Sequence, residues 1–129
     1  MLKGKLTVIG LAMGLALASG SAFADGDAKK GEKVFKKCKV CHSTKKGEQK
    51  IGPSLAGIMG KKAGQVKGFK KYKALKGASF KWDEDNMKDW VKNQKEFLKD
   101  KGIKKKTGMK VKIKKEKDRE NLIAYLKKL

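Results

Sequence analysis

Cys38, Cys41 and His42 are the two cysteines and the one histidine of the 129-residue chain, and they stand together in Cys-Lys-Val-Cys-His. Two thiols and an imidazole this close can form a redox dithiol, part of a zinc site, a plain disulfide or a covalent haem attachment. A structural zinc ion takes four ligands around a tetrahedron, and three soft ligands within five residues surround it poorly. A thioredoxin-type dithiol belongs to a βαβ setting, for which the chain has no pattern. A disulfide leaves His42 without a role. Haem attachment uses all three groups: each thiol adds to one vinyl group, and the adjoining imidazole is thereby held against the iron.

The elements that must position this motif read as helices separated by glycine-rich loops. Asp27 can cap a first helix running to about Lys39, with Ala28, Gly31, Val34, Phe35 and Cys38 on one face. From 43 to 79 the pattern is broken by seven glycines and Pro53, which predicts loop with one or two short helical turns. A second helix follows Trp82, with Asp83 and Glu84 at its start and Met87, Trp90 and Val91 as its apolar stripe. Residues 102–112 show no helical period. A last helix, about Glu116 to Lys128, carries Leu122, Tyr125, Leu126 and Leu129 on one stripe. No β-alternation of any length and no internal repeat is found, so the chain reads as all-α.

Compartment and charge narrow the function. Lys3 and Lys5 precede an apolar stretch over residues 6–20 and the small-x-small sequence Ala22-Phe23-Ala24, the pattern of a secretory signal cut after Ala24. The stretch is short of the ~20 residues a membrane-spanning helix needs. The expected organisation is a signal peptide over 1–24 and one domain over 25–129, exported to the periplasm. The whole chain has a formal charge of +22. With 37% charged residues disorder must be weighed, but the nine aromatic residues include eight spread across 25–129, as a folded core requires. Arg119 is the sole arginine, whereas recognition of nucleic acid favours the guanidinium fork. Export also removes the protein from nucleic acid, and a lysine excess can be compositional.

From these residues onward the chain resembles a known family, the class I cytochromes c, and within it the longer c2-type of alphaproteobacteria. KKGEKVFKKCKVCH is similar to the family's first helix and haem site, and IGPSLAGIMGKKAGQVKGF to its proline-containing loop. WDEDNMKDWVKN resembles the helix after the buried tryptophan, and KTGMKVKIKKEKDRENLIAYLKKL the methionine-ligand loop and last helix. The resemblance implies a small class I cytochrome c fold, its N- and C-terminal helices packed together around one haem c bound through Cys38 and Cys41. Gly31 and Phe35 would then pack against Leu122 and Tyr125.

The resemblance also implies an iron ligated by His42 and a methionine. Met59 and Met87 suit packing, while Met109 stands in a polar, lysine-rich loop where the family places its thioether ligand. Pro53 would accept the ring N–H of His42, Tyr72 and Trp82 would bind one haem propionate, and Thr107 the other. Departures are visible as well. Gln94 stands where the family usually has proline, so the preceding helix end is expected to be less sharply set. Val111 stands where phenylalanine is common, about six residues are added before Met109, and one is missing between Val111 and Lys114.

With both axial positions filled, such an iron changes oxidation state but offers no place for substrate, so the expectation is an electron carrier and not an enzyme. The implied role is a monomeric shuttle between a cytochrome bc-type complex and a terminal oxidase or photosynthetic reaction centre. The alternatives are a dedicated electron-transfer subunit of a periplasmic dehydrogenase, or a haem peroxidase, which needs an open iron. Lys33, Lys37, Lys50, Lys95, Lys114 and Lys115, with Lys104 to Lys106, would meet acidic faces of membrane redox complexes, with peripheral membrane-surface contact.

Overall fold

A computed structural model describes residues 26–129; the signal-peptide reading of residues 1–24 lies outside them. Four helices occur in the described residues: α1 Ala28–Phe35, α2 Glu84–Lys92, α3 Gln94–Asp100 and α4 Glu116–Leu126. Among these residues the only β pairing is an isolated bridge between Lys62 and Lys81, so the all-α expectation holds.

Asp27 caps α1 by accepting from the backbone N–H groups of Lys29 at 2.8 Å and Lys30 at 3.2 Å. Those bonds, Lys30 foremost, hold its carboxyl below the usual aspartate value. The α-helix ends at Phe35 rather than near Lys39. Beyond it the chain tightens through three-residue bonds from Lys36 to Lys33, Lys37 to Val34 and Cys38 to Phe35. This tightening lifts Cys41 and His42 out of the helix into a turn closed by His42 N–H to Cys38 O at 2.9 Å.

α1 packs extensively on α4. An alanine methyl at Gly31 would lie 1.9 Å from Asn121 O and 2.9 Å from Tyr125 Cβ, so only glycine permits the approach. Phe35 is fully buried, its ring 5.1 Å from that of Tyr125, and Asn121 Oδ1 accepts the Asp27 N–H at 2.8 Å. Arg119, Asn121 and Ile123 are buried beside Leu122 and Leu126, a wider face than the expected stripe. The reason is that α4 is covered by α1 on one side and α2 on another.

α3 was not foreseen by the helical periodicity. Asn93, at φ −163° and ψ 103°, leaves helical space, ends α2, and accepts the Glu96 N–H at 3.1 Å to cap α3. The end of α2 is therefore sharply set without proline, correcting the expectation from Gln94. α3 buries Gln94, Phe97 and Leu98.

The stretch 43–79 holds turns and no helix. Gly64 combines φ +73° with backbone contact, since a methyl there would lie 1.9 Å from Leu75 O. Residues 60–63 pair with 80–82 through Gly60 N–H to Trp82 O, Trp82 N–H to Lys61 O and Ala63 N–H to Phe80 O, all within 2.9 Å. This ribbon seats Trp82 against Phe80, Trp90 and Phe97. After α3 the chain is extended, and from Met109 to Lys114 burial alternates: Met109, Val111 and Ile113 face inward while Lys110, Lys112 and Lys114 are exposed. No helix among the described residues is long and apolar enough to cross a membrane.

Candidate haem site

The turn after α1, α2, the 51–75 loops and the segment around Met109 enclose a cavity of about 500 Å³, lined mostly by apolar side chains. That volume lies in the range of cofactor pockets. Cys38, Cys41, His42 and Met109 all reach its walls, as do Tyr72, Trp82, Thr107 and Pro53. Residues separated by more than sixty positions thus converge on one space.

His42 is set by two neighbours. Its Nδ1 lies 2.7 Å from Pro53 O, so Nδ1 carries the proton and Nε2 is left as a donor of its lone pair. The ring also lies against Gly52, where an alanine methyl would meet Cε1 at 2.4 Å, Nδ1 at 2.7 Å and Nε2 at 2.9 Å. Burial pushes the His42 pKa below the usual imidazole value, partly opposed by the Pro53 bond, and so favours the neutral ring a metal requires.

The buried thiol of Cys38 suits a thioether better than a thiolate. Burial, with Cys41 beside it, pushes the Cys38 thiol up to about 11. A redox dithiol needs a lowered pKa to supply thiolate, and a zinc site needs thiolate outright. The described residues contain no cluster of three or more His, Cys, Asp or Glu placed to hold a metal ion. A thioether carries no charge and suits the buried apolar position of Cys38.

Met109 is placed by side chains on both flanks. Its sulfur accepts from Trp90 Nε1 at 3.3 Å, and its backbone N–H donates to Thr107 Oγ1 at 3.2 Å. Tyr72 Oη accepts the Val66 N–H at 3.1 Å, which leaves the phenol proton free to donate into the cavity. Burial raises the Tyr72 pKa, with the Val66 bond opposing, so the phenol stays protonated. On the same cavity Trp82 is buried and Thr107 is half-buried. An apolar space with two sulfurs, an oriented imidazole, a thioether and a few polar tips fits a covalently held haem.

The cytochrome c family model matches residues 28–129. The chain belongs to the cytochrome c family. It is similar to cytochrome c2 of Rhodospirillum rubrum, 39% identical over 135 positions that cover 100% of this chain and 99% of that one. It is also similar to cytochrome c of Gibberella zeae, 42% identical over 81% of this chain and 95% of the other. Among solved structures, cytochrome c2 from Rhodospirillum centenum superposes with a TM-score of 0.73 at 32% identity, covering 80% of this chain and 98% of that one. Cytochrome cH from Methylobacterium extorquens gives a TM-score of 0.69 at 33% identity, over 81% and 100%.

This cytochrome carries one haem c attached through Cys38 and Cys41, and it is a c2-like electron carrier, not an enzyme. Several residues of its site escaped the sequence reading. Trp90 was placed on an apolar stripe, yet its N–H reaches Met109. Gly52 counted as one loop breaker among many, and nothing in a single sequence marks a glycine lying under an imidazole. Lys71, Lys73 and Lys110 line the cavity together with the expected Lys37. Lys33, Lys50, Lys95, Lys104 to Lys106, Lys114 and Lys115 are exposed and do not line it.

Proposed function

We propose that this cytochrome is a periplasmic shuttle that takes single electrons from a cytochrome bc-type complex and passes them to a terminal oxidase or photosynthetic reaction centre. His42 and Met109 would hold its iron, and the signal over 1–24 would be cleaved after Ala24. The observation that carries the reading is that His42 and Met109 share one cavity wall system with both cysteines. Two protein ligands leave no open position for substrate, which separates a carrier from a peroxidase.

When bound, the haem supplies an iron that changes oxidation state by one electron. The chain's own residues do the rest. Pro53 fixes the tautomer and direction of His42. Trp90 and Thr107 orient Met109, a ligand that raises haem potential relative to a second imidazole. The apolar walls exclude water, so neither oxidation state needs large solvent reorganisation. Tyr72 and Trp82 offer donors to one propionate and Thr107 to the other.

Docking is assigned to exposed lysines, Lys37 among those lining the cavity, meeting acidic faces of membrane complexes as a monomer with peripheral contact to the membrane surface. Charge steers the encounter over roughly the 8 Å screening length at physiological ionic strength. Val40 and Ile51, 75% and 70% exposed, add apolar contact, and Ile51 lines the cavity. Replacing Lys37, Lys50 and Lys95 by glutamate is expected to slow electron transfer to an acidic-faced partner, per unit charge, far more than Lys29→Glu with Lys128→Glu. Lys127 is unsuited as a control, because it pairs with Glu84 between α4 and α2. Stopped-flow rates across a salt series make the comparison. Equal slowing per charge from both sets would leave net charge as the whole effect and remove the docking face.

A further inference from the structure

We propose that Gln94 is a positioning residue for Met109, acting through Val111. The inference rests on Met109 being an axial ligand. Gln94 is the first residue of α3 and only 2% exposed, and its Nε2 donates to Val111 O at 2.7 Å. The carbonyl can only accept, so the amide must present its nitrogen there, and its oxygen is left buried without a hydrogen-bond partner. A buried amide with one orphaned end is a costly choice for a position where an apolar side chain or proline would serve the helix equally. What the amide supplies, and those residues cannot, is a donor aimed at the ligand segment.

The position of that donor gives it leverage. Trp90 and Gln94 stand on either side of the α2–α3 break at Asn93, and both donate into the same extended segment. Trp90 reaches Met109 Sδ and Gln94 reaches Val111 O. Further along, Ile113 N–H donates to Val91 O at 2.8 Å, and Arg119 Nη1 donates to the carbonyls of Ile113 and Lys114. The far end is thus anchored at residue 113, whatever happens at 111. Between Met109 and that anchor, Gln94 holds the sole intervening inward residue, Val111. Without its bond, the chain from 107 to 112 is fastened mainly by Met109 itself, through the Thr107 turn and the Trp90 contact. Release of the thioether would then require no further backbone bond to break. Gln94 sets how readily Met109 leaves, while touching neither the methionine nor its sulfur.

The test uses the ferric holoprotein and imidazole as a competing ligand. Gln94→Leu removes the donor with similar bulk. Gln94→Pro removes it at a first helical turn that tolerates proline, preceded by Asn93 in the extended backbone proline prefers. Both variants are expected to bind imidazole between about threefold and tenfold more tightly, the loss of one ordinary hydrogen bond. Both are also expected to lose the sulfur-to-iron absorption band at lower denaturant than far-UV circular dichroism loses helix. Unchanged imidazole affinity in the variant that folds, or a gap between band loss and helix loss no wider than the wild type shows in the same titration, would overturn the proposal. Met109→Ala is run alongside: if it keeps the band, the ligand assignment fails rather than the role of Gln94.

Discussion

Met109→Ala is expected to abolish the sulfur-to-iron band of the ferric cytochrome, lower its potential and open the iron to small ligands. The thioether is the one soft donor that the cavity offers besides the two cysteines committed to attachment and Met87 on α2. A methyl in its place leaves nothing able to reach the iron from residue 109. The potential should fall by on the order of 0.1–0.3 V, part of the ~0.8 V range over which axial ligands set haem potentials. Trp90 would lose its acceptor, and an orphaned buried donor costs about 1–3 kcal/mol, so melting should fall as well. Spectroelectrochemistry and cyanide titration check the result. If Met59→Ala or Met87→Ala removes the band while Met109→Ala keeps it, the assignment is wrong.

Gly52→Ala is expected to act on the other proposed ligand, His42. A glycine-to-alanine change in ordinary backbone stabilises a protein by about 0.4–1 kcal/mol through the unfolded chain. Here the new methyl would stand within 2.9 Å of three imidazole atoms, held from behind by Pro53. Overpacking of that kind costs about 1–3 kcal/mol, and turning the ring away forfeits the Pro53 bond, about another 1 kcal/mol. The sign therefore reverses, with net destabilisation. Thermal melting should drop, and the ferric spectrum should gain a high-spin component as the His42 bond weakens. A variant that melts at or above the wild type with an unchanged low-spin spectrum would show that the ring is not seated on Gly52.

These two residues also mark what a sequence reveals and what it conceals. Cys38, Cys41 and His42 were legible because haem attachment needs them adjacent, so the chemistry is written in neighbouring letters. The terminal helices were legible from Asp27 and from the Leu122 and Leu126 period, and Gly31 as their contact from the resemblance. α3 was hidden because it is only seven residues long and starts at an asparagine that ends α2. The run MKVKIK was passed over, although its alternation of apolar residue and lysine matches the inward and outward faces seen from Met109 to Lys114. It forms no ladder, and its period has meaning only once a cavity lies on one side. Trp90, Gly52 and Gln94 act on residues 10 to 19 positions away in the chain, a distance that local pattern does not bridge. Their roles follow from side-chain direction, which only the fold supplies.

The central claim is that two protein side chains, His42 and Met109, close both axial positions of one covalently held iron, so that the molecule carries electrons and turns over no substrate. Low-temperature electron paramagnetic resonance of the wild-type ferric holoprotein at neutral pH, read together with its near-infrared magnetic circular dichroism, tests this most directly. The account predicts a single low-spin ferric species with the sulfur-to-iron transition of histidine–methionine ligation. A predominant high-spin signal from iron open at its sixth position, or a low-spin species lacking the sulfur transition, would contradict it.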